Sequence, residues 1–225
     1  MYLSDIHTHS IASGHGTSCT ISDMAKAASK KGLKLLGITD HGPGTLAAGT
    51  SSYFRSLTYA PKKRFGIELL FGAELNILDT EGHLDLNDEL LSELDYAIAS
   101  MHAQNYKSGT VEENTSAYLN AMRHPCVKVL GHCDNPAFPV DYETLAFGAK
   151  EYGVIFEINE ASLMPDGYRG DTRANNKEIL RCCRKLEIPI VLSSDSHGAE
   201  HVGEFTYGAE FVHEMMFPER LILNN

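Results

Sequence analysis

The sequence predicts an α/β fold in which residues 1–225 form one domain, a distorted TIM-like barrel of seven strand–helix units. Short apolar runs alternate with helix-like segments along the whole chain, and no repeat or long linker interrupts them. Several runs are continuously apolar, as strands buried on both faces are. Strands that alternate with helices pair in parallel through right-handed crossovers. An open doubly wound sheet is the alternative, because periodicity alone does not show closure.

Seven apolar runs are the predicted strands, and they cover residues 2–6, 33–39, 68–75, 96–101, 127–131, 154–158 and 189–193. The predicted helices cover residues 23–31, 88–94, 111–123, 142–152, 172–186 and 209–216. Four of the helices follow a residue that can accept a hydrogen bond from their first turn, namely Ser22, Asn87, Thr110 and Asp141. Gly32 and Gly153 suit the left-handed conformation that ends a helix.

The composition excludes several classes of protein. Apolar residues make up 43% of the chain, which is ordinary for a globular protein. The formal net charge of -11 disfavours nucleic acid and anionic membranes as partners, and no apolar run is long enough to span a membrane. The five cysteines fit no disulfide framework, so reduced thiols in a cytoplasm are expected. Whether copies of the chain form a homo-oligomer is left open.

Histidines and carboxylates stand at the ends of six of the seven predicted strands. They are His7, His9, His41, Glu74, His102, His132, Asp195 and His197. The carboxyl ends of parallel strands share one rim, which carries the active site in barrels, so these side chains should converge on one cleft. In extended backbone, residues two apart point to the same side, so His7 and His9 can reach one ion. Mixed imidazole and carboxylate ligands suit zinc, manganese or iron better than calcium.

Each of these residues has an ordinary interpretation when taken alone. An isolated His-x-His pair recurs by chance, and a lone rim histidine is usually just hydrogen-bonded. Glu74 could be a salt-bridge partner and Asp195 a helix cap. The coincidence at six strand ends favours a polynuclear metal site. His15 lies in a glycine-rich loop after the first strand, where ligation and a plain loop role are equally supported.

The pattern resembles the PHP family, the polymerase and histidinol phosphatase family, in particular its small stand-alone, YcdX-like phosphatase branch. The resemblance covers essentially the whole chain, and no single motif would be as specific as the combination. The motifs are Asp5-Ile6-His7-Thr8-His9, Ile11-Ala12-Ser13-Gly14-His15, Ile38-Thr39-Asp40-His41-Gly42-Pro43, Gly72-Ala73-Glu74-Leu75-Asn76 and Asp195-Ser196-His197. The resemblance implies a distorted barrel of seven units and three divalent ions, often zinc and sometimes manganese or iron.

The resemblance also implies which residues bind each ion. The first ion would take His7, His9, Glu74 and Asp195. The second would share Glu74 as a bridge and add His102 and His132. The third would take His15, His41 and His197. No ligand position is replaced, which argues against a metal-free homologue.

The expected reaction is hydrolysis of a small-molecule phosphomonoester by a metal-activated hydroxide at a trinuclear site. Metal binding can lower the pKa of water from 15.7 to about 7, so no serine or cysteine nucleophile is required. Asp5 and Asp40 precede ligands and are candidates to orient imidazoles, with plain hydrogen bonding at a strand end as the alternative. Arg169, in a loop after the sixth strand, is a candidate phosphate clamp or else a solvated surface arginine.

Three other functions remain as alternatives. Amidohydrolase-like barrels also open with His-x-His, but they typically carry a lysine at the fourth strand end, where this chain has Met101-His102. A PHP-type exonuclease acting on nucleic-acid phosphodiesters would need a basic groove or a run of aromatic residues on which bases stack. Neither is evident in this short acidic chain. A non-catalytic metal-binding module is the third alternative, and the intact ligand set counts against it.

Overall fold

The computed structural model describes residues 2–224 as an α/β fold. The strands are β1 (Ser4–Asp5), β2 (Leu35–Ile38), β3 (Lys63–Arg64), β4 (Ile67–Phe71), β5 (Ala73–Asn76), β6 (Ala97–Ser100), β7 (Val127–Leu130), β8 (Ile155–Asn159) and β9 (Ile190–Ser193). The helices are α1 (Ile21–Lys30), α2 (Ser51–Leu57), α3 (Asp88–Leu91), α4 (Val111–Ala121), α5 (Tyr142–Tyr152), α6 (Glu160–Leu163), α7 (Arg173–Leu186) and α8 (Thr206–Glu214). Two short 3-10 turns cover Ile11–Ser13 and Glu219–Leu221.

The strands form two sheets, in the order β1-β2-β4-β3 and β5-β6-β7-β8-β9. The predicted run 68–75 is therefore two strands, because β4 pairs with β2 while β5 pairs with β6. Gly72 stands between them, and a Cβ atom there would lie 2.6 Å from the carbonyl oxygen of Tyr96. A side chain at this position would clash with backbone, so glycine lets the chain cross from one sheet to the other.

Isolated bridges join the two sheets into a closed ring. His41 pairs with Glu74 on one side, and Thr8 pairs with Ser196 on the other. At the second junction, the backbone N–H of His9 donates to the carbonyl of Ser196 at 2.8 Å. We call this junction between β1 and β9, including the loops that follow both strands, the seam. Counting β4 and β5 as one run, the ring has the seven units of the predicted distorted barrel. The barrel prediction is confirmed, and the open doubly wound alternative is wrong.

Two clusters of buried apolar residues fill the space around the strands. The larger lies between strands and helices and includes Ala97 and Ala99 of β6. The smaller contains Ile98 of the same strand together with Val129 and Val191. Since successive strand residues point to opposite faces, the smaller cluster lies inside the ring. It forms a packed floor below the carboxyl ends of the strands.

Several local predictions need correction. The hydroxyl of Thr20, not that of Ser22, accepts a hydrogen bond from the first turn of α1. The carboxylate of Asp23 in turn accepts one from the backbone N–H of Thr20. Lys63 and Arg64, which lie outside the predicted strands, form the antiparallel strand β3 at the edge beside β4. Helix α8 begins three residues before the predicted start, and α2 and α6 were not predicted. In the described part of the chain, no helix has the length and apolar character needed to cross a membrane.

Candidate metal centre

All nine predicted ligands gather at the carboxyl ends of the strands. Their ligand atoms form three groups, each with atoms within 4.8 Å of one another: His9, His41 and His197; His7, His9 and Asp195; His41, Glu74 and His102. The ring of His15 stacks on that of His41 with centroids 4.9 Å apart. The ring of His132 lies 5.1 Å from that of His102. Residues scattered from position 7 to position 197 therefore share one centre.

Glu74 lies in the middle of this centre. Its Oε1 atom is 2.8 Å from Nε2 of His132 and 3.3 Å from Nε2 of His102. Its Oε2 atom is 2.6 Å from Nδ1 of His41 and 3.5 Å from Nε2 of His7. Burial raises the pKa of the Glu74 carboxyl, but His102, His41 and His7 outweigh burial and hold it well below its usual range. Glu74 is therefore an ionised carboxylate surrounded by imidazoles.

Asp195 is the second buried carboxylate of the centre. Its Oδ1 atom lies 3.1 Å from Nε2 of His9, and its Oδ2 atom accepts a hydrogen bond from the guanidinium of Arg169 at 2.8 Å. Burial raises the pKa of Asp195, but His7 and Arg169 bring it well below its usual range. Asp195 thus remains ionised and links the imidazole cluster to Arg169.

Hydrogen bonds fix which nitrogen of two imidazoles faces the centre. Nδ1 of His7 lies 2.6 Å from Oε1 of Glu157, and Nδ1 of His102 lies 2.7 Å from Oδ1 of Asn76. Because a carboxylate and an amide oxygen only accept, each Nδ1 carries a proton, and in the neutral form of the ring Nε2 keeps the lone pair. In both rings it is Nε2 that points towards Glu74. This is the tautomer that a metal ligand needs.

A longer chain of hydrogen bonds does the same for His9. Nδ1 of His9 lies 2.8 Å from the hydroxyl of Ser13, which donates to Oδ1 of Asp40 at 2.7 Å. The hydroxyl of Tyr53 also donates to Asp40, as do the backbone and hydroxyl of Ser10. Since the one hydroxyl proton of Ser13 goes to Asp40, its oxygen accepts from Nδ1–H of His9. Asp40 therefore reaches an imidazole indirectly, and we call the Tyr53–Asp40–Ser13–His9 chain the Asp40 relay.

Burial and neighbouring charge set the protonation of the other histidines. Burial, with His197 and His41 nearby, lowers the pKa of His9 well below its ordinary value. Burial and Arg169 lower the pKa of His132 to about 4. At neutral pH these two rings are uncharged, as metal ligation requires. For His7, burial works to lower the pKa, but Glu157, Asp195 and Glu74 raise it well above its ordinary value.

Several buried atoms of the centre have no hydrogen-bond partner among the described residues. They are Nε2 of His7, His9 and His197 and Nδ1 of His132. Nδ1 of His41 and Oε2 of Glu74 belong with them, because these two atoms lie 2.6 Å apart without the geometry of a hydrogen bond. Leaving a buried polar group unpaired costs about 1–3 kcal/mol, so such a concentration is unusual in a folded protein. Divalent cations would use these lone pairs directly. The residues present therefore fit a group of metal ions.

Two of the predicted ligands have unusual backbone conformations. His132 has a φ of 28° and Asp195 a φ of 53°, values that non-glycine residues rarely adopt. Such conformations cost of order 1–3 kcal/mol and cluster at functional sites. His132 is held by Oε2 of Glu157, which accepts from its backbone N–H at 2.7 Å. The strained backbone aims both side chains at the centre.

Arg169 is buried, so the solvated alternative for it is wrong. Only 6% of the residue is exposed. One terminal nitrogen donates to Asp195, and the other donates to Asn159 and Ser162, each at 3.2 Å. Its Nε atom has no partner among the described residues, and the side chain lines the cavity above the centre. The ring of Tyr168 packs 4.5 Å from the guanidinium carbon.

Asp5 does not orient an imidazole, and this prediction is wrong. Its carboxylate accepts from the hydroxyl of Ser194 at 2.6 Å, from the backbone N–H of Ser194 at 3.2 Å and from that of Gly203 at 2.8 Å. It meets His7 only through the backbone, at 3.5 Å. Burial raises the pKa of Asp5 to about 6, even though the bonds from Ser194 and Gly203 lower it. Asp5 ties β1 to the loop that follows β9 and so holds the seam.

The sequence analysis missed the carboxylate and amides that support the ligands. Glu157 and Asn159 come from β8, for which no site residue was predicted. Asn159 donates to both Glu157 and Asp195, at 3.0 and 3.1 Å. Glu157 could have been recognised because it is a charged residue inside the apolar run 154–158. A buried carboxylate without a partner is costly, so its presence there indicates a partner such as a histidine. Ser13, Tyr53 and Asn76 gave no such signal.

A cavity of about 590 Å³ opens above the centre. Its inner end is lined by the cluster and by Arg169. Its outer wall contains Met101, Ala103, Gln104, Asn135, Ala137, Phe138 and Tyr168. The predicted ligands therefore face a chamber that a small molecule can enter.

Comparison with known proteins identifies the family. The sequence profile described as the PHP domain matches residues 5–162. This chain belongs to the PHP domain family. The matched part contains the predicted ligands from His7 to His132, while Asp195 and His197 follow it along the chain. The resemblance recognised in the motifs is confirmed.

Relatives of this PHP domain match it along nearly its whole length. A protein named a probable phosphatase from Clostridium novyi is 40% identical over 223 residues, 99% of this chain and 90% of that one. A probable phosphatase from Acetivibrio thermocellus is 39% identical over 223 residues, 99% of this chain and 91% of that one. The structure of histidinol phosphate phosphatase from Lactococcus lactis, complexed with zinc, L-histidinol and phosphate, has a TM-score of 0.62 at 18% identity. It covers 96% of this chain and 95% of that one, which supports the fold.

Proposed function

We propose that this PHP domain is a metal-dependent phosphatase that hydrolyses phosphomonoesters of small molecules. The observation that carries the proposal is the set of unpaired, buried nitrogen and oxygen atoms that converge beside Arg169 at the inner end of an open cavity. The relatives named probable phosphatases support the same activity. All five cysteines are free, which agrees with a reducing cytoplasm as the place of action.

Three divalent ions are proposed, with zinc first and manganese or iron as alternatives. The first would bind His7, His9, Glu74 and Asp195, the second Glu74, His102 and His132, and the third His15, His41 and His197. The distances between these side chains support the first two sets. His41 lies close to Glu74 as well as to His15, so Glu74 borders all three sets. Mixed imidazole and carboxylate donors suit these transition metals.

The chain's own residues bind and orient the phosphate. When bound, the ions would supply positive charge that polarises the phosphoryl group and lowers the pKa of water to about 7. Arg169 would donate N–H groups to the phosphate, since its Nε is unpaired and the side chain lines the cavity. Asp195 holds the guanidinium in place from the other side. Hydrolysis breaks the ester P–O bond, adds water at phosphorus and releases the alcohol.

Asp40 and Asp5 act on this reaction without touching the substrate. Through Ser13, Asp40 keeps the proton of His9 on Nδ1 and leaves Nε2 free for an ion. Asp5 holds β1 against the loop that carries Asp195. Both are positioning residues, and Asp40 is the one that controls an imidazole.

The test is hydrolysis of a generic aryl phosphate by the full chain supplied separately with zinc, manganese and iron. Turnover with at least one metal is expected. Because ligand loss removes several kcal/mol of charge stabilisation, His132→Ala and Asp195→Asn should lower kcat/KM roughly a thousandfold. His213→Ala, an exposed histidine on α8, is the matched control. Preferential cleavage of an amide or lactone, or release of nucleotides from single-stranded DNA, would contradict the proposal.

A further inference from the structure

The outer wall of the cavity contains no formal charge. It combines the apolar side chains of Met101, Ala137 and Phe138 with the neutral polar side chains of Gln104 and Asn135. Phe138 is 4% exposed and packs edge to face against Tyr106 at 6.1 Å, so its ring is fixed. Gln104 is exposed to the solvent side of the cavity. This wall offers a firm apolar surface and two amide groups for hydrogen bonds.

The carboxylates of the cavity are already engaged at its inner end. Among the described residues that line it, Glu74 and Asp195 are the only acidic ones. Glu74 lies among five imidazoles, and Asp195 pairs with Arg169 and His9. Both are proposed metal ligands, so neither carboxylate is left to pair with a positively charged group of a substrate. Arg169 and the proposed ions make the inner end positive.

From this distribution we infer that the substrate is the phosphate ester of an uncharged, ring-bearing alcohol, and that esters carrying an ammonium group are disfavoured. The inference rests on the proposed function and specifies its substrate class. An ammonium group in this cavity would lose its hydration, find no carboxylate and be repelled by the inner cations. A neutral ring can pack on Phe138 and Met101 while its polar atoms bond to Gln104 or Asn135.

The size of the cavity supports a substrate larger than phosphate itself. Pockets of about 300–1,000 Å³ take small organic molecules and bury most of their surface, and this cavity of about 590 Å³ falls in that range. Apolar walls with a few placed polar groups are typical of such pockets. The phosphate would occupy the inner end beside Arg169, which leaves the outer wall for the organic part.

The test compares phenylpropyl phosphate with phenylalaninol phosphate, which differ by one ammonium group. With the zinc-loaded full chain, kcat/KM should be at least about tenfold higher for phenylpropyl phosphate, because the ammonium group of phenylalaninol phosphate finds no carboxylate partner in the cavity. The dissociation constants of the matching phosphonates, in which a methylene replaces the ester oxygen, are measured by calorimetry and should show the same order. Equal or tighter binding of the aminated phosphonate would overturn the inference.

A charge added to the outer wall should reverse the preference. Gln104→Glu is expected to raise the relative kcat/KM and affinity for the aminated compounds by roughly tenfold. Ser116→Glu, which adds the same charge on the exposed face of α4, is the control and should leave the preference unchanged. If the phosphonates discriminate but no ester is cleaved, the proposed hydrolysis fails and the substrate class stands. If both esters are cleaved equally well, the substrate class fails and the hydrolysis stands.

Discussion

Nε2 of His132 lies 2.8 Å from Oε1 of Glu74, although 58 positions separate the two residues along the chain. Glu74 is the side chain that most of the centre shares, since five imidazoles, which follow four different strands, approach its two oxygens. The centre should therefore be more sensitive to a change at Glu74 than to the loss of any one histidine.

Replacing Glu74 by glutamine keeps its size but removes its charge. We expect Glu74→Gln to lose more than one of the proposed ions, because both oxygens border several histidines. The metal content per chain, measured by elemental analysis, should fall further than in His132→Ala. Glu68→Gln, on the exposed face of the neighbouring β4, is the matched control. A Glu74→Gln protein with the full metal content would remove Glu74 from the centre.

The Asp40 relay predicts that Ser13 controls metal affinity. Ser13→Ala leaves Nδ1 of His9 without its acceptor, so the proton can move to the nitrogen that should face an ion. Loss of such a supporting contact typically weakens metal binding by roughly 10–100-fold. Zinc affinity is measured by competition with a chelator, and Ser116→Ala on the exposed face of α4 is the control.

Tyr53→Phe should have a smaller effect in the same assay. Asp40 would lose the donor from Tyr53 but keep those from Ser10 and Ser13. If Ser13→Ala binds zinc as tightly as the unaltered protein, the relay has no part in metal binding.

Arg169 should bind phosphate through the shape of its guanidinium as well as through its charge. Lysine keeps the charge but lacks the planar fork that holds Asp195, Asn159 and Ser162. For Arg169→Lys we expect a rise of about tenfold or more in KM and in the inhibition constant of inorganic phosphate. Arg173→Lys, at the exposed start of α7, is the control. An unchanged phosphate inhibition constant would show that Arg169 does not touch the phosphate.

The stability of the protein should depend on pH through Glu160. Burial raises the pKa of Glu160 above 4.5, although the backbone N–H groups of Gly208 and Tyr207 donate to its carboxylate. The pKa of Glu160 is therefore higher in the folded protein than in the unfolded chain. The contribution of Glu160 to stability is fully present below the unfolded-state pKa, and it is lost as pH rises through the folded-state pKa.

The comparison with Glu160→Gln isolates this effect. The free energy of unfolding, measured in denaturant across a series of pH values, is compared between the two proteins. The advantage of the unaltered protein should shrink as pH rises above 4.5, the ordinary value for this group. Other titrating groups are common to both proteins and cancel. A constant difference across the series would contradict the assignment.

Removal of metal should lower the melting temperature. A ligand present at a thousand times its dissociation constant stabilises a protein by about 4 kcal/mol, which corresponds to roughly 10 °C for a chain of this length. We therefore expect a drop of that order when a chelator is added, and recovery when zinc is restored. Asp195→Asn should show a smaller drop, because it has already lost a ligand. Equal melting curves with and without chelator would argue against bound ions.

The ligand positions could be predicted because strand ends are local features of the sequence. A histidine at the end of an apolar run points to the rim wherever its strand lies in the ring. Glu157 escaped prediction because it lies within its run, and only the ring closure brings it beside His7. The partners of Asp5, Ser194 and Gly203, are almost the whole chain away, and no local pattern encodes that pairing. The break at Gly72 lies inside one continuous apolar run and depends on the neighbouring Tyr96.

The seam has a consequence for the order in which the protein is made. His7 and His9 lie on one side of it and Asp195 on the other, so the proposed first ion requires both ends of the barrel. A nascent chain on the ribosome would carry its first two histidines long before the aspartate has been synthesised. Metal capture at this position must wait until Asp195 has emerged and β9 has joined β1, and loading is thereby tied to closure of the barrel.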